Sequence, residues 1–270
     1  MPIKHKITQS AKELIESLKI KGIGFEEESQ RDYPESSAAA HLLGFVGADI
    51  NGLDKGYFGL EGYYDLELKG QSGILRREKD ALGRPILVGE AKEEKQEDGR
   101  DLLTTIDRVA QFTAEKELQE GIRRYGAKSG SVVIMAPKTG EILAMASFPT
   151  KGFPNPAVAS GFEPGSIFKV LVMAAALNEG VVEPETRCDK CIGPRIVSGE
   201  TIKTWDDKYP ANPTMTEVIQ QSNNIGMVYV AEKLGKGKLI SYLQNFGLDR
   251  PSGIDLEDEL APKFRPSSAW

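Results

Sequence analysis

Histidine, cysteine and tryptophan each occur only twice among 270 residues, and no run of about 18 apolar residues, enough to cross a bilayer as a helix, is present. The shortage of histidine has the sharpest consequence. His5 and His41 lie far in sequence from every other candidate catalytic group, so a Ser-His-Asp triad has no support. Positive charge is not in surplus either: 34 basic against 40 acidic residues leave a formal charge of -6. Nothing therefore draws the chain onto phosphate backbones, and nucleic acid is a poor partner. The first turns of the chain mix Lys4, Lys6, Lys12, Glu13 and Glu16 among apolar residues, which excludes a signal-peptide core there. Taken literally that composition is cytoplasmic. The loop-like stretch from Phe264 to Trp270, closing on a large aromatic, instead leads us to expect a cut element and an internal fragment.

The two cysteines, Cys188 and Cys191, form a lone C-x-x-C. With both histidines remote, a four-ligand zinc site would need carboxylates or a second chain. A local disulfide in an oxidising compartment and a pair of structural thiols are the other two readings. A thioredoxin-like role is weak, because no strand-then-helix frame surrounds the pair.

What is present is ordinary for a globular protein. A 40% hydrophobic and 27% charged chain of this length holds one sizeable core or two modest domains. An amphipathic helix is expected within residues 1–20 through Ala11, Leu14, Ile15 and Leu18, then an extended stretch over 24–34 and a buried small-residue segment over 38–46. Glycines at 52, 56, 59, 62, 70 and 73 forbid a long helix, although residues 60–68 can hold a short one. Residues 86–88 read as a strand, and the charged stretch 90–100 as a solvated hairpin or linker that marks a domain boundary. Beyond it, residues 102–106 read as a strand ending at Asp107, which caps a helix over 108–125 with an apolar stripe through Val109, Phe112, Leu118 and Ile122. A hairpin over 131–146 follows, with strands apolar enough for a sheet covered on two faces. Residues 148–160 are then a loop.

That loop leads to Glu163-Pro164-Gly165 and then to Ser166-Ile167-Phe168-Lys169, opening an apolar run to Ala176. A turn feeding a helix places the serine hydroxyl and the lysine ammonium one turn apart on one face. A serine becomes a good nucleophile when a neighbour takes its proton, and lysine can do so where burial lowers its pKa. Capping of the helix is the mundane use of such a serine. A second helix starts at a capping box, Thr214 to Glu217, and continues through Val218, Ile219, Ile225, Val228 and Val230 to a stop near Gly235. Ser222-Asn223-Asn224 interrupts it. Three small polar residues between apolar turns need partners if buried, and a helix-helix joint with its own caps is one solution. If the two helices pack side by side, Ser222 and Asn224 can converge on Ser166 and Lys169.

These motifs resemble those of the penicillin-binding proteins, specifically the class B, high-molecular-weight transpeptidases that cross-link peptidoglycan. The S-x-x-K at Ser166 and Lys169 and the S-x-N at Ser222 and Asn224 stand in family order. Leu103-Thr104-Thr105-Ile106-Asp107, the stretch from Pro137 to Met145, and Pro251-Ser252-Gly253-Ile254-Asp255 are similar to family segments. Upstream, the stretches from Ala40 to Gly47 and from Gly59 to Asp65 are similar to the family's non-catalytic pedestal.

The resemblance implies an α+β fold: residues 1–100 as part of a pedestal domain, and 101–270 as the N-terminal part of a transpeptidase domain with helices packed on an antiparallel sheet. It implies that Ser166 attacks the penultimate D-alanine carbonyl of a stem peptide, that Lys169 takes its proton, that Ser222 passes a proton towards the leaving group, and that Asn224 binds the peptide amide. The Ser166 backbone N-H is an expected oxyanion donor. Peptidoglycan stem peptides and β-lactams are the implied ligands, membrane proteins of division or elongation the implied partners, and no cofactor or metal is called for. The implied location is the cell membrane, with the catalytic domain on the extracytoplasmic side and the anchor outside this piece. The family's third motif, Lys-Thr/Ser-Gly, is expected downstream of Trp270. Lys138-Thr139-Gly140 precedes the nucleophile, lies in a hairpin turn, and is given no catalytic role. A penicillin-hydrolysing or penicillin-sensing relative and a non-catalytic scaffold module are the alternatives.

Overall fold

The computed structural model describes residues 3–35, 38–71, 73–77, 91–149 and 152–262, in two compact units, Met1–Ala157 and Val158–Trp270. The expected strand at 86–88 and the chain end at 264–270 lie outside the described residues.

In the first unit, α1 (Gln9–Ser17) begins where the Thr8 hydroxyl accepts the Ala11 N-H. It is amphipathic as read, yet none of its residues is buried. The small-residue segment becomes α2 (Ala40–Leu43) and β1 (Phe45–Ala48), the latter antiparallel to β2 (Asp54–Tyr57). The glycine spacing is steric in origin. A Cβ on Gly56 would lie 1.9 Å from the Glu61 carbonyl oxygen, and one on Gly59, which sits at φ 50°, would lie 2.4 Å from that of Leu42. The short helices α3 (Gly59–Tyr63) and α4 (Asp65–Leu68) fill the span read as helical. The charged stretch contributes β4 (Ala91–Glu94), paired with β3 (Ile74–Arg77), so it is in part a hairpin.

Helix α5 (Arg108–Tyr125) is capped by Asp107, whose carboxylate accepts the Ala110 N-H at 2.8 Å, and stops at left-handed Gly126. It packs on the hairpin of β5 (Gly130–Met135) and β6 (Ile142–Phe148). One expectation fails here and two hold only in part. The core-facing stripe is Ala110, Gln111, Ala114 and Leu118, whereas Val109 and Phe112 are 76% and 66% exposed. Gln111 sets the rotation: its Oε1 accepts the Met145 N-H at 2.8 Å while its Nε2 donates to the Met145 carbonyl at 2.9 Å, and the alanines let the helix approach. Residues 102–106 are not a strand, because the segment meets β6 through the Thr105 hydroxyl on the Ile142 carbonyl and the Asp107 N-H on that of Leu143, not through a ladder. Covering on two faces holds for β6, where Ala144, Met145, Ala146 and Ser147 are all buried, and fails for β5, where Val133 and Met135 remain exposed.

A single turn, α6 (Pro156–Ala159), precedes the second unit's core. That core is built from α7 (Phe168–Asn178), α8 (Met215–Gln220) and α9 (Asn224–Leu234), with the hairpin of β7 (Arg195–Val197) and β8 (Glu200–Ile202) and the final helix α10 (Lys236–Asn245) around it. Val172, Met173 and Ala176 of α7 meet Val218 of α8 and Ile225 and Val230 of α9. Cys188 and Cys191 are joined in a disulfide with both residues fully buried in this cluster, which removes the free-thiol and zinc readings. The capping box forms as read, with the Thr214 hydroxyl accepting the Glu217 N-H and the Glu217 carboxylate accepting that of Thr214.

Helices α8 and α9 approach closely because residue 226 has no side chain. A Cβ there would lie 2.4 Å and 2.6 Å from the two methyl carbons of fully buried Val218. On an exposed helix, Gly→Ala is stabilising by up to about 1 kcal/mol. Here Gly226→Ala is expected to destabilise by about 1–2 kcal/mol in urea unfolding, because overpacking outweighs propensity. An increase in stability would refute the close packing.

Candidate active site

Ser166 is not at the N-cap of an α-helix. It occupies a 3₁₀ turn (Gly165–Ile167) that runs into α7, and its side chain caps neither element. The mundane use of this serine is therefore excluded. The 3₁₀ turn stacks residues three apart, which sets exposed Ser166 and part-buried Lys169 on one side of the chain. No hydrogen bond joins the two side chains among the described residues.

Lys169 instead reaches across to the joint between α8 and α9. Its Nζ lies 2.7 Å from the Ser222 carbonyl oxygen, 2.9 Å from Ser222 Oγ and 2.6 Å from Asn224 Oδ1. Burial lowers the Lys169 pKa below its ordinary 10.5. The three oxygens favour the ammonium, so they and burial act in opposite directions. They also suit the free amine, since the Ser222 hydroxyl can turn round and donate to it.

Ser222 and Asn224 converge because α8 ends at Gln221 and the chain turns before α9 starts. Ser222 takes a left-handed conformation, φ 51°, uncommon for a residue with a Cβ. Asn224 is fixed at both ends of its amide: Oδ1 accepts from Lys169 and Nδ2 donates to the Lys203 carbonyl at 2.7 Å. Asn223 has a different task. It is 2% exposed, and its Oδ1 accepts the Gly226 N-H at 3.0 Å as the N-cap of α9. The polar triplet is thus a helix joint with its own cap and a pair of lysine ligands at once. Asn223→Ala is expected to cost about 1–2 kcal/mol in urea unfolding, while Asn223→Asp keeps most of the stability. Equal losses would contradict the cap.

Two contributors were not legible as site residues. The Lys203 carbonyl is a backbone group, invisible to side-chain motifs. Trp205 donates its indole N-H to the Gln221 carbonyl at 3.2 Å, next to Ser222, and no local periodicity signals that contact. Among the described residues no group of three or more His, Cys, Asp or Glu side chains could hold a metal ion.

Against known families, residues 130–268 match the penicillin-binding protein transpeptidase domain, and residues 1–104 match the penicillin-binding protein dimerisation domain. The first match contains Ser166, Lys169, Ser222 and Asn224. The chain belongs to the class B penicillin-binding proteins. As such it is similar to stage V sporulation protein D of Bacillus subtilis, at 36% identity over 96% of this chain and 41% of that protein. It is also similar to the peptidoglycan D,D-transpeptidase FtsI of Escherichia coli, at 31% identity over 95% of this chain and 44% of FtsI. This penicillin-binding protein chain therefore spans less than half the length of these two relatives. Among solved structures, a peptidoglycan synthetase from Bifidobacterium adolescentis superposes with a TM-score of 0.79 at 28% identity, over 99% of this chain and half (50%) of that one. Penicillin binding protein 3 of Mycobacterium tuberculosis, complexed with ampicillin, superposes at 0.74 and 28% identity, over 90% and 52% of the two chains. The α+β fold is that of the penicillin-binding proteins.

Proposed function

We propose that this chain carries the acylating part of a serine-type peptidoglycan D,D-transpeptidase, with residues 1–100 as pedestal and 101–270 as the beginning of the catalytic domain. The observation that carries the reading is the capture of part-buried Lys169 by Ser222 and Asn224 beside an unemployed serine.

In this reading Ser166 Oγ attacks the carbonyl carbon of the penultimate D-alanine of a stem peptide, and Lys169 as the free amine takes the hydroxyl proton. The ester C-O bond forms, the peptide C-N bond breaks, and the terminal D-alanine leaves with a proton relayed through Ser222. Asn224 keeps a second amide N-H for the peptide backbone. The Ser166 N-H, in the first turn of its helix where N-H groups lack intrahelical partners, faces developing negative charge. The amine of a second stem peptide then attacks the ester, forming the cross-link and restoring Ser166.

β-Lactams are ligands in the same reading, because their strained amide offers Ser166 an equivalent carbonyl. Membrane proteins of division or elongation are the partners. The place of action is the cell membrane with this domain on its extracytoplasmic side. The buried disulfide supports that place, since such bonds persist in oxidising compartments. The test is covalent: full-length protein treated with a penicillin is expected to gain one adduct, mapped by peptide mass spectrometry to Ser166. An adduct elsewhere, or none, would sink the assignment.

A further inference from the structure

Besides Lys169, one short segment holds the left-handed turn at Ser222 from outside. Lys203 and Trp205, two residues apart, reach it on either side: the Lys203 carbonyl accepts from Asn224 Nδ2 at 2.7 Å, and the Trp205 indole N-H donates to the Gln221 carbonyl at 3.2 Å. One bond lands before Ser222 and one after it. The segment is itself anchored. It follows directly on β8, whose partner β7 is tied to α9 by a two-pronged Arg195–Glu232 pair at 3.0 Å and 2.7 Å, and it is followed by Tyr209, which packs on the core.

Trp205 is an odd residue for a purely structural task. Tryptophan contributes to folds chiefly by the area it buries, and this one is 76% exposed. Among the described residues its side chain's one hydrogen bond is the one to Gln221. We propose that Trp205 is a positioning residue for acylation: its indole N-H, together with the Lys203 carbonyl, brackets Ser222 and keeps the Ser222 carbonyl and hydroxyl on Lys169. The proposal rests on the reading of Ser166 and Lys169 as the acylating pair.

Non-glycine residues hold a left-handed backbone only where the surroundings over-determine it. With the bracket intact, Lys169 has three fixed oxygens at one end, which leaves its amine a single place from which to serve Ser166. With the indole N-H removed, the Gln221–Ser222 peptide is held, among the described residues, only by the Ser222 N-H on the Ile219 carbonyl at 3.1 Å, and Ser222 relaxes away from the lysine. The loss should fall on the chemical step, because the ring itself is not needed by the turn.

The experiment compares Trp205→Phe with the parent in the full-length protein, separating the first-order acylation rate by a penicillin from the constant for initial binding. Phenylalanine keeps an aromatic ring and deletes the donor. A fivefold to tenfold fall in the acylation rate is expected, about the worth of one hydrogen bond, with initial binding within about twofold and partial recovery in Trp205→His. An unchanged rate, or a loss confined to initial binding, would overturn the proposal; the latter would make the ring a ligand contact.

Amide exchange by NMR gives a readout independent of activity. The Trp205 indole N-H is expected to be protected about fivefold or more, and the Ser222 and Asn223 amides to exchange faster in Trp205→Phe. An unprotected indole in the parent protein overturns the bracket without any variant. If the parent protein is not acylated at Ser166, the functional reading fails, and the exchange data still decide whether Trp205 holds the turn.

Discussion

Replacing Lys169 with methionine is expected to slow β-lactam acylation of the full-length protein by about a hundredfold to ten-thousandfold, the range spanned by loss of a positioned general base. Methionine approximates the length of the lysine stem while removing both the proton acceptor and the donor. The variant also leaves Ser222 O, Ser222 Oγ and Asn224 Oδ1 without their shared partner, so some stability is lost with the activity. Rates should therefore be compared well below the unfolding midpoint.

The pH dependence distinguishes a base from a scaffold. Burial lowers the folded-state Lys169 pKa below 10.5, so between the two values the unfolded chain binds more protons than the folded one. The lysine's contribution to stability accordingly rises with pH across that window and is level above it. Acylation should rise in the same direction as the amine loses its proton. In Lys169→Met both rises should vanish. A methionine variant that keeps the parent pH-rate profile would show that another group takes the proton.

Ser222→Gly is expected to separate chemistry from folding with opposite signs. Glycine accepts the left-handed conformation freely, so relief at φ 51° should offset the loss of the hydroxyl contact, leaving stability unchanged or higher by up to about 1 kcal/mol. Acylation should nevertheless fall by about a hundredfold or more, since the relay between Lys169 and the leaving group is gone. Ser222→Ala loses the same hydroxyl and keeps the strain, so it should be the less stable of the two. A glycine variant that acylates at the parent rate would remove Ser222 from the mechanism and leave it as a lysine ligand only.

Much of this was readable from residue order. The capping box at Thr214, the Asp107 cap and the hairpin at 131–146 are local, and local rules found them. Ser222 and Asn224 could be paired with Lys169 because the two apolar helices had to pack on something, and each polar residue between apolar turns needed a partner. The failures have a common cause in tertiary choice. Periodicity put Val109 and Phe112 inside, but a single glutamine bonded to the Met145 backbone turned α5 to another face. Capping was the mundane use open to the serine, and the 3₁₀ turn that feeds α7 places its hydroxyl where it caps nothing. The Lys203 carbonyl is a main-chain atom, and the Trp205 contact spans 16 residues, so neither leaves a mark in a short window.

The disulfide between Cys188 and Cys191 has a practical use. Both residues are at 0% exposure beneath the packing of α7, α8 and α9, so a water-soluble thiol reaches the sulfurs only when that packing parts. The rate of reduction is then a clock for the opening of the helices that carry Lys169 and flank Ser166 and Ser222. A ligand seated on those residues would slow the clock, which gives a label-free assay for occupancy that needs no turnover at all.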